Sequence, residues 1–403
     1  MKVAIISPCI LPVPAVKGGA VLTLIESLIK QNEIYKDMNL TIVGSYDQEA
    51  EKISRKYKNS KFIFLHEQFA FRKIDYCIDK IVGLRNKNEQ EHHYLWKLKV
   101  IAKVKKILIE NNFDKVVFQN SGYLLEVLKD KNIVDKYKNR LYYHLHNDIP
   151  DNVYINGVKQ CQLIVISKYI SEKVKKICGD EIEKQIHVVK NGLQTELFLK
   201  SMTNIERNYL KKKLGITTNK KIIIYAGRIT EYKGIRELFK AFMQLNNDEY
   251  TLLIVGSFNF GTSQTSSFEI ELNNMIKSCK QQVICTGFVP YEQMWKYYQI
   301  SNVAVLPSMW NEPAGLTMIE AALSGVPVIT TNSGGIPEYL NEKNSIFVNR
   351  DNNIIDELAK SIEKVLNNLE IWDKKAEKAK LYVKDNFSES VFYSNFCEIL
   401  KQF

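Results

Sequence analysis

Residues 303–338 read VAVLPSMWNEPAGLTMIEAALSGVPVITTNSGGIPE, and this stretch decides the fold. Residues 303–306 and 326–330 are short apolar runs rich in valine and isoleucine, as in strands buried on both faces. Between them lie a polar, proline-bounded loop at 307–313 and a helical pattern over 314–323, and a Gly334-Gly335 turn leads into a further helix. Two strands joined by a helix make a right-handed crossover, which sets the loop and the helix start at the sheet's carboxyl edge. Open α/β sheets bind ligands along that edge. The backbone amides of Ala314, Gly315, Leu316 and Thr317, at a helix N-terminus, suit an anion such as phosphate. Glu312 and Glu320 frame the place, and carboxylates accept hydrogen bonds from vicinal hydroxyls such as those of sugars and riboses. As isolated residues, Glu312 reads equally well as a helix cap and Glu320 as a solvated side chain.

Pro-Ser, Glu-Pro-x-Gly-Leu-Thr-x-x-Glu-Ala and Ser-Gly-Val-Pro-Val follow one another in a single run. This resembles the signature of the retaining GT-B glycosyltransferases, in particular family 4, the glycosyl transferases group 1. The resemblance implies an α/β chain with two Rossmann-like, doubly wound parallel-sheet domains facing a central cleft. It also implies a C-terminal helix that crosses back to the N-terminal domain. The corresponding boundaries are 1–198 for an acceptor-binding domain, 199–386 for a nucleotide-sugar-binding domain and 387–403 for the returning helix.

Outward from the stretch, residues 221–226 form a buried-strand pattern followed by Gly227-Arg228-Ile229-Thr230-Glu231-Tyr232-Lys233-Gly234. Arg228 at the strand's carboxyl end and Lys233 before the next helix are two cations able to neutralise a diphosphate. As a Gly-Arg-x-x-x-x-Lys-Gly pair they resemble the family's diphosphate-binding residues. Gly287-Phe288-Val289 resembles the segment that meets the nucleobase, which gives Val289 a place there. Strands are expected at 252–256 and 283–288, and amphipathic helices at 356–369, 371–387 and 390–401.

In the first half, strands are expected at 2–7, 40–44, 62–65, 116–119, 141–145, 163–167 and 187–190, with helices between most of them. That alternation implies a largely parallel, doubly wound sheet. Residues 3–16 are apolar but interrupted by Pro8, Pro12 and Pro14, so they read as a strand and loop, not a signal peptide. Gly18 and Gly19 occupy the first strand-to-helix turn, where a missing Cβ lets backbone amides approach a phosphate. The resemblance assigns this turn to the donor. Alternation puts His144 and His146 on one side of their strand, with His146 nearer the carboxyl edge. The resemblance gives His146 a place beside the transferred sugar, with His144 as the alternative, and leaves Asp148 unassigned. Asn191-Gly192 resembles the family's Asn-Gly before the interdomain linker, which runs through the charged residues 200–213.

The chain has 403 residues, a formal net charge of +11, 45% hydrophobic and 25% charged residues, which fits two globular domains and favours anionic partners. Seven cysteines are scattered without a Cys-x-x-Cys pair, which speaks against zinc ligation and a disulfide framework and for a reducing cytosol. No run is long and apolar enough to span a bilayer. Residues 72–106 carry ten Lys or Arg against four Asp or Glu, with Phe69, Phe71, Tyr76, Tyr94 and Trp96 in or beside them. This segment reads either as a domain helix with a solvated face or as a patch that settles peripherally on anionic lipid headgroups.

The resemblance implies transfer of a sugar from a nucleotide-sugar, a UDP-sugar first, to a hydroxyl of a glycan or lipid-linked oligosaccharide in bacterial surface polysaccharide synthesis. Configuration would be retained. No Asp-x-Asp occurs, so no metal and no cofactor is expected. Glu312 would accept from the sugar and Glu320 from the ribose; nucleic acid is not an expected partner. The alternatives are a GT-B epimerase or hydrolase, and a non-enzymatic basic protein binding membrane or nucleic acid.

Overall fold

The computed structural model describes residues 1–67, 74–75, 94–149, 154–217, 219–257 and 267–402. The chain divides into two compact units, one made of Met1–Gly192 with Glu389–Phe403, the other of Leu193–Ser388.

The first unit is built on seven strands: β1 (Lys2–Ile6), β2 (Asn39–Ser45), β3 (Ser60–Leu65), β4 (Lys115–Gln119), β5 (Leu141–Leu145), β6 (Gln162–Val165) and β7 (Ile186–Val188). All pairings are parallel, in the order β3-β2-β1-β4-β5-β6-β7. β4 and β5 are buried at every position, because helices cover both faces of a parallel sheet. The order reverses between β1 and β4, the kind of place where ligands bind in such sheets.

The second unit holds β8 (Lys221–Ala226), β9 (Tyr250–Val255), β10 (Gln282–Cys285), β11 (Val303–Leu306), β12 (Val328–Thr331) and β13 (Ile346–Val348). These are also all parallel, ordered β10-β9-β8-β11-β12-β13 with the reversal between β8 and β11. Every strand expected from the sequence is present within a few residues. β13, a run of three residues, was not expected. The span 200–213 is more than a linker: Asn204–Lys213 is a helix opened by a reciprocal capping box between Thr203 and Glu206. Among the described residues no helix is long and apolar enough to cross a membrane.

The last helix, Glu389–Gln402, belongs to the first unit and lies along the helix Ala20–Tyr35. Tyr393 donates to Asn32 at 2.8 Å and stacks on Tyr35 with ring centroids 5.5 Å apart, and Lys401 pairs with Asp37 at 2.9 Å. Phe392, Phe396 and Leu400 complete the core around Ile25, Leu28 and Ile29. Phe396 is fully buried, so Phe396→Ala should destabilise the first unit by about 3–5 kcal/mol. Urea denaturation followed by tryptophan fluorescence checks this, and an unchanged midpoint would contradict the packing described.

Candidate active site

At the second unit's reversal point, β8 and β11 lie side by side and both end at the same edge. After β8 come Gly227, Arg228 and a short 3-10 turn, Glu231–Lys233. After β11 comes the loop 307–315. The two segments meet through an ion pair between the Lys233 ammonium and Glu312 Oε1. Ser308 donates to the same carboxylate oxygen at 2.9 Å, and the ammonium lies 5.5 Å from the Trp310 ring centroid. Glu312 is only 6% exposed, so the pair is largely shielded from solvent screening. It does not cap the following helix, which has no side-chain cap.

Backbone contacts lock this loop. Gly234, at φ +73°, lies so close to the Pro307 carbonyl that a Cβ would come within 1.9 Å of its oxygen. From the other side the Gly335 N–H donates to the Glu312 carbonyl at 2.7 Å. Thr331 donates to the Ser308 carbonyl at 2.7 Å and Ser333 to that of Trp310 at 2.8 Å. Arg350 holds the Met309 carbonyl at 3.1 Å and the Asn311 side chain at 2.5 Å.

The expected helix starts at Leu316, not Ala314, because Gly315 adopts φ +87° and serves as its N-cap. Ala314 is buried just before it. The amides of Leu316 and Thr317 open the first turn, where a helix offers donors with no partner inside it. Glu320 points inward and is 6% exposed, which rules out the solvated reading. Burial pushes its carboxyl up to about 8, against the pull of the hydrogen bond that Tyr298 donates at 3.2 Å. Arg228 is exposed and meets no carboxylate among the described residues, and Val289 is half-buried after β10.

In the first unit, the loop after β1 carries Gly18 and Gly19, both exposed and at positive φ, with Gly19 as N-cap of the helix Ala20–Tyr35. His146 follows β5 and is buried, its Nε2 3.2 Å from Gln119 Oε1 and its backbone N–H donating to Asn120 at 2.8 Å. Asn191 is also buried, and the His144 ring lies 4.0 Å from that of His146 between centroids. Burial holds the His146 imidazole down to about 3, so it is neutral at physiological pH. Asp148 pairs with Lys173 at 2.6 Å and stands apart from this cluster.

Lys233 and Glu312 are therefore directly joined, Glu320 shares a helix with Leu316 and Thr317, and His146 is joined to Gln119. Sequence reasoning missed Gln119, Asn120, Tyr298, Ser308, Trp310 and Arg350, which hold these residues in place. Of these, Ser308 alone carried a signal, in the Pro-Ser that opens the run.

Residues 206–383 match the family model described as Glycosyl transferases group 1. This part of the chain is similar to the glycosyl transferases group 1 family. An uncharacterized glycosyltransferase of Methanocaldococcus jannaschii is 28% identical over 214 residues, 53% of each chain, so the match spans about half the length of that relative. Spore coat protein SA of Bacillus subtilis is 24% identical over 397 residues, 96% of each chain. The crystal structure of Anabaena HepE in complex with UDP and glucose aligns over 100% of both chains with a TM-score of 0.75 and 19% identity, a likeness of fold. The two-sheet architecture is the GT-B fold of such glycosyltransferases.

Within the second unit the site's rigidity has a direct test. Gly334 sits at φ +54°, and a Cβ there would fall 2.2 Å from the Glu312 carbonyl oxygen. Gly334→Ala should cost at least about 2 kcal/mol of stability in thermal or chemical denaturation, from left-handed strain and the clash together. A wild-type melting temperature would show that the loop is not clamped as described.

Proposed function

We propose that this protein is a retaining glycosyltransferase of family 4 that moves a sugar from a nucleotide-sugar, a UDP-sugar first, to a hydroxyl of a glycan acceptor. The observation that carries the reading is the meeting of Lys233, Glu312, the Leu316–Thr317 amides and buried Glu320 at one sheet edge. In this reading Leu193–Ser388 is the donor unit and the first unit serves the acceptor. Arg228, Lys233 and the amides at 314–317 receive the diphosphate, Glu320 accepts from the ribose, Glu312 from the sugar, and Val289 adjoins the base. Gly18, Gly19 and Asn191 contribute to donor binding, and His146, steadied by Gln119, acts beside the sugar.

Breaking the glycosidic bond leaves negative charge on the diphosphate. Fixed cations and amides that wait for that charge lower the barrier more than they favour the ground state. That supply of charge supports a reaction without metal. The departing phosphate takes up the acceptor's proton on the same face of the sugar, which retains configuration. His146, being neutral, hydrogen-bonds a sugar hydroxyl without adding charge.

For the acceptor we propose a lipid-linked oligosaccharide of bacterial surface polysaccharide, met by a cytoplasmic enzyme at the inner membrane face. Of the basic segment 72–106, residues 72–73 and 76–93, with Phe69 and Phe71 beside it, lie outside the described residues. The helix Tyr94–Glu110 supports the idea in part: it exposes Tyr94 and Leu98 one turn apart, among Lys97, Lys99, Lys103, Lys105 and Lys106. Cosedimentation with vesicles containing anionic lipid tests this directly; failure to bind at low salt would remove it.

A thermal-shift screen without metal against UDP-, GDP-, dTDP- and ADP-sugars tests the donor site. At about 100 times its dissociation constant, a true donor stabilises the protein by roughly 2.7 kcal/mol. One nucleotide class should raise the melting temperature, and Glu320→Ala and Lys233→Ala should each abolish the rise. If no nucleotide-sugar stabilises the wild type, the reading fails.

A further inference from the structure

Tyr298 lies on the short helix Met294–Gln299 and is fully buried. Its hydroxyl stands 3.2 Å from Glu320 Oε2 and 3.3 Å from the Thr317 carbonyl oxygen. A phenol has one proton to give, so it serves one of these two acceptors at a time. An ionised carboxylate draws that proton more strongly than a peptide carbonyl, since charge-assisted hydrogen bonds are about twice as strong as neutral ones. Once the carboxyl is protonated the preference disappears, and the hydroxyl can turn to the carbonyl.

We propose that Tyr298 is a positioning residue for nucleoside recognition: its hydroxyl favours the ionised Glu320 carboxylate, the form that accepts ribose hydroxyls, and turns to Thr317 when Glu320 takes up a proton. The proposal rests on the donor-site reading above and specifies how that site is controlled. Thr317 belongs to the first helical turn, two residues after Gly315, so the same hydroxyl touches both the ribose acceptor and the backbone beside the anion-facing amides.

No other titratable group among the described residues reaches Glu320. From the helix Leu369–Asn386, the buried face consists of Trp372, Ala376, Ala379 and Val383. From Thr195–Phe198 the buried residues are Leu197 and Phe198, and Phe198 packs on Tyr298 at 6.2 Å between centroids. β11 and β12 contribute only Val, Ala, Leu, Ile and Thr. Ser324 bonds the Glu320 backbone carbonyl, not its side chain. Control of the carboxylate therefore falls to burial, which raises its pKa, and to Tyr298, which lowers it, with a net value of about 8.

The sign follows from which form binds. Ribose hydroxyls donate, so they favour ionised Glu320. Affinity should be full above the carboxyl's pKa and fall by up to about tenfold per pH unit below it. Removing the Tyr298 hydroxyl raises the pKa further, so the fall begins at higher pH. The loss relative to wild type is then large near neutrality and narrows towards pH 9.5.

Isothermal titration with UDP, GDP and ADP from pH 6.5 to 9.5, on wild type, Tyr298→Phe and Glu320→Gln, tests this. The nucleotide that binds should show the acid-side decline, displaced to higher pH in Tyr298→Phe and absent in Glu320→Gln, which supplies the baseline for the phosphate's own titration. A Tyr298→Phe profile parallel to wild type, weaker by one factor at every pH or not at all, overturns the proposal. So does a wild-type profile that matches Glu320→Gln, an outcome readable even if Tyr298→Phe fails to fold. Absence of binding to wild type at every pH overturns the donor-site reading itself.

Discussion

The loop 307–315 is gripped from both sides by backbone contacts that leave no room for a side chain. Gly234 lies against the Pro307 carbonyl and Gly334 against Glu312, each at positive φ. Because Lys233 immediately precedes Gly234, fixing the first contact also fixes where the Lys233 ammonium can reach. Because Gly334 and Gly335 hold the backbone of Glu312, the second contact fixes its partner. The ion pair is thus a consequence of two turns being locked, and a conformationally free Lys and Glu would lose much of its value to side-chain entropy. A site assembled this way is preorganised before any ligand arrives.

The two sheet edges differ in charge. The second unit's edge is ionic, with Arg228, Lys233 and Glu312, while the first unit's edge carries His146 held neutral by burial. Desolvation favours the neutral form at both places and so moves the two pKa values in opposite directions. At Glu320 it raises a carboxyl towards the pH range where proton uptake competes with hydroxyl binding, and at His146 it removes a charge that hydrogen bonding alone would not. His144, wedged between His146 and the rings of Phe392 and Phe396, keeps water from the histidine pair and so sustains that desolvation.

The fold was legible because a parallel sheet demands apolar runs at regular intervals, and twelve of the thirteen strands fall on a run read from the sequence. The site residues were legible where chemistry and backbone coincide in a short run, as in 312–320. What the sequence could not display is pairing at a distance. Lys233 and Glu312 are 79 residues apart, Gln119 and His146 are 27 apart, and Tyr298 precedes Glu320 by 22. Each looks like an ordinary residue of its own element until the topology brings it to the edge. The shortened start of the helix at Leu316 has a similar cause: Gly315 was visible, but its left-handed turn depends on Met318 and Ile336 packing where its Cβ would be.

A carboxylate at a place proposed to receive a diphosphate looks self-defeating, and the pairing resolves it. Glu312 is buried, and an unpaired buried charge is strongly unfavourable, so Lys233 and Ser308 offset the cost of placing it there. Both act on Oε1, and Oε2 takes no hydrogen bond from the described residues. The carboxylate thus has one oxygen committed to structure and one left to accept. Lys233, already balanced by Glu312, adds little net charge, so the attraction for an anion falls mainly to exposed Arg228 and to the helix amides. On the proposed reading, an anion without a hydroxyl-bearing group beside it leaves that second oxygen unmatched, and selection for a sugar-bearing diphosphate is built into the ion pair.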